Sequence, residues 1–148
     1  MPALSENLTF AINSTTNSVQ LTYPTTATTA LSYTSNKIKG AGYFGNSSGL
    51  HTAFWSVLNF VGSISVQGSI ATDPSERDWI TVRPNISLNS NGFTLDTTGG
   101  VVVNTQNYNY TSAVTTSQTF NFIGNFVWIR GKVDNWSAGT VENISINR

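Results

Sequence analysis

The chain has 148 residues and a mass of 16.0 kDa, and its 39% hydrophobic and 11% aromatic content is enough to fill one core. Only 9% of it is charged, seven basic residues against seven acidic, where ordinary soluble domains hold roughly 25%, so it has no electrostatic footprint for nucleic acid or an anionic membrane. Cysteine is absent, which excludes disulfides and thiolate metal sites.

The opening MPALSENLTF lacks the basic and apolar regions of a signal peptide, and no run reaches the ~18 apolar residues of a membrane span. The chain reads as soluble and unprocessed, and residues 1–148 are expected to form a single domain. Asn-X-Ser/Thr triplets, including those at Asn7, Asn46, Asn85, Asn109, Asn135 and Asn143, would suggest a glycoprotein if the chain were secreted; without a signal peptide they are read as what a sequence this rich in Asn, Ser and Thr produces by chance. In the N-terminal quarter, Leu8–Ile12, Val19–Tyr23 and Leu31–Tyr33 are short β-prone pieces between polar tracts. Residues 1–35 read either as edge strands or as a partly extended arm lying on a neighbouring subunit. Edge strands are the better reading, because an arm needs a partner that the sequence does not show.

Gly40, Gly42, Gly45 and Gly49 follow within ten residues. Gly40-x-Gly42-x-x-Gly45 has the letters of a dinucleotide fingerprint, but turn-forming Asn46-Ser47-Ser48-Gly49 stands where the helix should begin. The stretch with Lys37, Lys39, Tyr43, Phe44 and His51 is better read as a loop that packs on a partner or presents aromatics. From Phe54 to Ile70, Leu58, Phe60, Gly62, Ile64, Val66, Gly68 and Ile70 share one face of a predicted strand whose other face is mostly Ser, Asn and Gln. Gly62 and Gly68 predict a bend, a bulge or an aromatic ring lying over the backbone, so the strand should be curved. Asp73, Pro74 and Glu76 then predict one helical turn, with Asp73 as cap, before a strand at Trp79–Arg83. The same acids lack the spaced donors and the glycine of an EF-hand loop.

Short strands are expected at Ile86–Leu88, Phe93–Leu95, Val101–Val103 and Tyr108–Tyr110, with turn dipeptides at Asn91-Gly92 and Gly99-Gly100. The clearest alternation lies in FNFIGNFVWIRGKV, Phe120–Val133. Val127, Ile129, Gly131 and Val133 take one face of that strand, while Trp128, Arg130 and Lys132 take the other, a mix suited to a half-exposed sheet or a subunit contact. Asp134–Gly139 is expected as a loop holding Trp136, and Thr140–Ile146 as the last strand. Asn59–Ser63 and Asn121–Asn125 echo each other, which predicts a doubled architecture with Gly62 and Gly124 in equivalent places. The expected fold is therefore an all-β antiparallel sandwich of the jelly-roll type.

Catalytic chemistry is sparse. His51 is the only histidine and has no nucleophile elbow near it; the acids are scattered, so no catalytic, cofactor or metal site is assigned. The aromatics need another account. Core is the default for Phe60, Phe120, Phe122 and Trp128. Trp55, Trp79 and Trp136 lie beside turns, where exposure is expected, and with the Trp128/Arg130 face they are the candidate interface residues.

FVGSISVQGSIATDPSERDW and FNFIGNFVWIRGKVDNWSAGTVENISIN together resemble a group of small β-sandwich virion proteins of tailed bacteriophages, especially those of marine bacteria. The features that carry the resemblance are a Phe-Gly strand ending in a Pro…Asp-Trp turn, Phe60–Trp79, and a later Gly-Asn-Phe-x-Trp-x-Arg strand, Gly124–Arg130. It covers well under half the chain and leaves the N-terminal part unmatched. It implies a structural component of a virion, made in the host cytoplasm, whose partners are other virion proteins and copies of itself. Head decoration, neck, tail, baseplate and fibre all stay open. A carbohydrate-binding or host-adhesion module, with a host glycan as partner, is the alternative, and a hydrolase ranks below both.

Overall fold

A computed structural model describes residues 5–11, 16–46, 48–82 and 107–148. The fold is all-β. In chain order the strands are β1 (Ser5–Asn7), β2 (Phe10–Ala11), β3 (Asn17–Ser18), β4 (Leu21–Thr22), β5 (Leu31–Thr34), β6 (Ile38–Lys39), β7 (Leu50–Ser69), β8 (Ile80–Thr81), β9 (Asn107–Ile123) and β10 (Trp128–Asn147), with 3-10 turns at Ala41–Phe44 and Glu76–Asp78. The three long strands carry the architecture. β7 lies between β9 and β10 and is antiparallel to both. β10 takes β7 on one edge and, on the other, β1, β4, β5 and β6 in turn, while β8 joins β7 at Gln67 and Gly68. β2 and β3 form a separate hairpin tied to this sheet by a bridge from Phe10 to Ser35.

Period-two burial explains why these stretches are strands, and its breaks explain their shape. Along β7, His51, Ala53, Trp55 and Val57 are buried; beyond Asn59 the phase slips and the apolar set Phe60, Gly62, Ile64, Val66 and Gly68 turns inward, while Ser63, Ser65 and Ser69 of the other face are covered too. Leu58 and Ile70, expected on the inner face, are 45% and 76% exposed. β10 has the same interruption. Ile129, Gly131 and Val133 are buried, then Trp136, then Val141, Ile144 and Ile146. The β7–β10 register shifts between Asp134 and Thr140, where Asn135 and Gly139 adopt φ of 49° and 82°, opposite Asn59 at 50°. A side chain on Gly139 would run into the Asn59 carbonyl, so the bulge is closed by the one residue that fits.

These bulges fold the sheet across its own middle. Tyr108 and Phe120 lie twelve positions apart in β9, which in a straight strand is roughly 40 Å at ~3.3 Å per residue, yet their rings stack with centroids 5.9 Å apart. The two halves of the inner face therefore meet, and Trp55 of one half touches Tyr108 of the other, 4.9 Å between centroids. The core between them includes Leu8, Trp55, Phe60, Ile64, Phe122, Ile129, Trp136, Ile144 and Ile146, each at most 1% exposed. Phe126 lies flat against Gly68 and Gly124, where a side chain on either would collide with its ring. That matches the expectation of an aromatic over the backbone at Gly68.

Several sequence expectations are corrected. Asp134–Gly139 is not a loop but a bulged part of β10, and the piece at Tyr108–Tyr110 belongs to one continuous strand. Gly62 sits in mid-strand beside Trp136 and Asp134, whereas Gly124 follows β9 and donates its N–H to Gly49 O at 3.0 Å. The two are not equivalent, so the Asn59/Asn121 echo is not an internal repeat. Ser75, not Asp73, caps the turn after β7, and Asp78 completes it by accepting the Ser75 N–H at 2.7 Å. The pieces expected at Ile86–Leu88, Phe93–Leu95 and Val101–Val103, their turns, and Arg83 lie outside the described residues.

Candidate functional site

The first half of β10 and the segment after β7 build a connected group of aromatic and charged side chains on the outer surface. Alternation turns Trp128, Arg130 and Lys132 outward while Ile129 and Gly131 enter the core, and the register sets Arg130 beside Gln67 and Trp128 beside Ser69. Arg130 is clamped on three sides. Its Nε–H donates to Gln67 Oε1 at 2.8 Å, its two terminal nitrogens donate to Glu76 Oε1 and Oε2 at 3.1 and 3.0 Å, and its guanidinium lies 4.3 Å from the centre of the Trp79 ring. Such a planar fork suits both a carboxylate and an aromatic face. Hydrogen bonds from Arg130 and its charge hold the Glu76 carboxyl below the usual carboxylate range.

Trp128 is half-buried rather than a core residue. Its Nε1–H donates to Thr72 O at 2.9 Å, which ties β10 to the same segment that carries Glu76 and Trp79. Lys37 Nζ lies 4.4 Å from the centre of its ring, and Tyr43 packs against it at 5.3 Å. From there a row of rings continues: Lys39 over Tyr43 at 4.5 Å, Phe44 edge-on to Tyr43 at 5.5 Å, and Arg148 over Phe44 at 5.1 Å. Four of the chain's seven cations thus lie against rings, each contact worth about 0.5–1 kcal/mol at an exposed site. Tyr43 and Phe44 remain 47% and 52% exposed, and Ile70 and Ile80 on the neighbouring segment are exposed as well.

The glycine-rich run serves this arrangement. Gly40 and Gly42 donate their N–H groups to Val127 O and Phe126 O, each at 2.9 Å, so the 3-10 turn at Ala41–Phe44 is laced to the chain entering β10. Tyr43 and Phe44 are presented from that turn, in keeping with the sequence. His51 is not. It is fully buried, stacked on Phe122 at 4.8 Å and nearly parallel to it. Nε2 accepts the Ala41 N–H at 3.0 Å, so the ring is neutral with its proton on Nδ1, which donates to Gly49 O at 2.8 Å. Burial pushes its pKa down, more than the Gly49 carbonyl raises it.

Among the sequence candidates, the structure brings Trp79, Trp128 and Arg130 together and sends the other two inward. Trp55 and Trp136 are 0% and 1% exposed, a correction to the expectation of exposure beside turns. Trp136 is enclosed edge-on by Tyr23 and Tyr33, with its Nε1–H on Ala138 O at 3.0 Å. Glu76 and Gln67 were missed as partners of Arg130. Nothing local in the sequence links position 76 to position 130; only the β7–β10 register does. Among the described residues no group of three or more acidic or histidine side chains is placed to hold a metal, and Asp73, Glu76 and Asp78 face separate partners: Lys37, Arg130 and Ser75.

Fold and surface together define an all-β protein with an amphipathic aromatic face. No protein-family model, curated protein or solved structure matches the chain.

Proposed function

We propose that this chain is a non-enzymatic structural component of a tailed-bacteriophage virion, assembling through subunit contacts made by the Trp79–Arg130–Trp128–Tyr43 face. One observation carries the reading. Phe60–Trp79 and Gly124–Arg130, the two stretches that resemble small virion proteins, lie 54 positions apart at Glu76 and Arg130 and converge on this one surface, where Trp128–Thr72, Arg130–Glu76 and Arg130–Trp79 join them. The face offers rings held rigid by cations whose charge is already engaged, which favours contact by shape and hydrogen bonding over ionic steering. We read the doubled sheet as a β-sandwich in which each long strand runs through both layers, and its two halves as the layers of a jelly roll.

The test is occupancy in purified particles. Trp79→Ala, Trp128→Ala and Tyr43→Ala should fold normally, and at least one should truncate a hot spot worth about 2 kcal/mol, roughly thirtyfold in affinity, so that particles lose the protein. Full occupancy for all three variants would refute the assignment of this face.

A second reading, a carbohydrate-binding or host-adhesion module, is favoured by a different place. A cleft of about 420 Å³ is lined by Ser18, Gln20, Leu21, Thr22, Pro24, Tyr33 and Trp136, an uncharged set that combines hydroxyl and amide groups with apolar and aromatic ones, as a site for a neutral sugar does. Glycan-array binding that is lost in Gln20→Ala and Tyr33→Ala, with particle occupancy unchanged in the face variants, would promote that reading over assembly.

A further inference from the structure

β9 runs seventeen residues along one margin of the sheet, and among the described residues β7 is its only ladder partner. A margin of that length presents a row of N–H and C=O groups, which proteins ordinarily blunt with lysine, proline, a short strand or a covering loop; among the described residues, the outward carbonyls of Ser117 and Thr119 accept only local side-chain bonds, from Thr116 Oγ1 and Gln118 Nε2 at 3.3 Å each. Residues 107–123 contain no Lys, Arg, Asp, Glu, Pro or Gly. The opposite margin is treated differently: it is broken into β1, β4, β5 and β6, with Pro24 in the excursion between β4 and β5. The core is also less well closed along β9. Tyr108, Tyr110 and Val114 pack on it and are only partly buried, while Trp55, Phe60 and Ile64 on the adjoining strand are 0% exposed. At the end of β9, Ile123 stands opposite Leu50, and the two are 61% and 48% exposed.

From these observations we infer that β9 pairs with β9 of a second copy, antiparallel about a two-fold axis, joining two sheets into one. The occupant is a second copy because the segment is complementary to itself. It carries no charge, so it meets its own image without like-charge repulsion, and an antiparallel ladder about a two-fold axis closes on itself instead of propagating. Its regular run, Thr116–Ile123, holds an unbroken register with β7 and is straight enough to template a partner. Ser117, Thr119 and Asn121 alternate on the exposed side of that run, and hydroxyl and amide side chains of this kind pair across strands. The inference goes beyond the assembly reading and uses a different surface, so either can fail alone.

The experiment measures the mass of the full chain in solution at tens of micromolar, with hydrogen exchange on the same sample. The wild type should have twice 16.0 kDa, and alternate β9 amides, those directed away from β7, should be protected. Ser117→Lys with Thr119→Lys sets ammonium groups face to face across the axis and should halve the mass and release those amides, with the far-UV circular dichroism unchanged. Thr25→Lys with Thr26→Lys, on the opposite margin, should leave the dimer intact. Trp79→Ala should also leave it intact whatever happens in particles, which separates this inference from the assembly reading. A monomeric wild type overturns the proposal. So does a dimer that survives the lysine pair, and so do outward β9 amides protected in a monomer, which would mean that the chain covers its own margin. If the lysine variant does not fold, the mass and exchange pattern of the wild type decide alone.

Discussion

Replacing Trp136 by alanine separates a core tryptophan from an interface tryptophan by more than any uncertainty in the measurement. In this structure the indole is 1% exposed, enclosed edge-on by Tyr23 at 5.4 Å and Tyr33 at 5.8 Å, and its N–H is engaged by the Ala138 carbonyl. Emptying such a site costs about 3–5 kcal/mol through lost transfer energy and the cavity left behind. Two aromatic contacts, each worth about 0.5–1.5 kcal/mol beyond area, place it at the upper end, about 5 kcal/mol. That is at least a third of the ~5–15 kcal/mol that holds a typical domain folded. Urea unfolding followed by circular dichroism reads it directly: with a slope of about 2 kcal/mol per molar, the midpoint should fall by roughly 2.5 M. A surface tryptophan would move stability by about 0.5 kcal/mol. A measured loss under about 1 kcal/mol would therefore refute the burial of Trp136 and return it to the interface candidates.

Three further outcomes are expected. Gly139→Ala should cost about 3 kcal/mol, because an alanine at φ 82° is strained and its methyl meets the Asn59 carbonyl, whereas Gly45→Ala, at φ 69° with open space around it, should show only the strain of about 1–2 kcal/mol; equal losses would contradict the bulge contact. His51 has its folded-state pKa below its ordinary 6.5, so the unfolded chain binds more protons and stability should fall as pH drops below about 6.5 toward the folded value. His51→Gln should lack that part of the acid dependence in urea unfolding at pH 5 and 7.5, and an identical dependence in the variant would refute a buried neutral imidazole. Arg130→Lys cannot fork onto both Glu76 oxygens or stack flat on Trp79, so acrylamide quenching of tryptophan fluorescence should rise with the secondary structure unchanged; unaltered quenching would mean that Arg130 does not cover the ring.

Alternation was legible wherever the inner face was unbroken. Ile129, Gly131 and Val133 on one side against Trp128 and Arg130 on the other could be taken from the letters, as could Phe60 to Gly68. What failed were the bulges. Asn59 and Asn135 look like turn residues and in part are, since both adopt left-handed backbone, but they sit inside strands whose ladders resume beyond them. Asn135-Trp136-Ser137 therefore read as a loop, and Trp55 and Trp136 as exposed, when the bulges turn both rings into the fold. His51 misled for a related reason. Its glycine and serine neighbours suggest a surface loop, yet the ladder begins one residue before it and Phe122 lies flat against its ring. Within the surface site, the outward set on β10 was visible, but its partners Glu76 and Thr72 were not, because their proximity comes from the β7–β10 register and not from any local pattern.

The position of β10 inside the sheet sets a timetable for the chain as it is made. Among the described residues β1, β4, β5 and β6 have no ladder partner except β10, and β7 needs it along one whole edge. Ser5 must wait for Asn147, which at ribosomal speed is a delay on the order of ten seconds. During that interval β1, β4, β5 and β6 stay unpaired. Their Thr-, Asn- and Ser-rich composition, broken by Pro24, keeps them hydrated and poor at pairing with one another or with other nascent chains. A ribosome stalled before residue 128 would hold the β7–β9 ladder and the β2–β3 hairpin, with β1, β4, β5 and β6 still awaiting their centre.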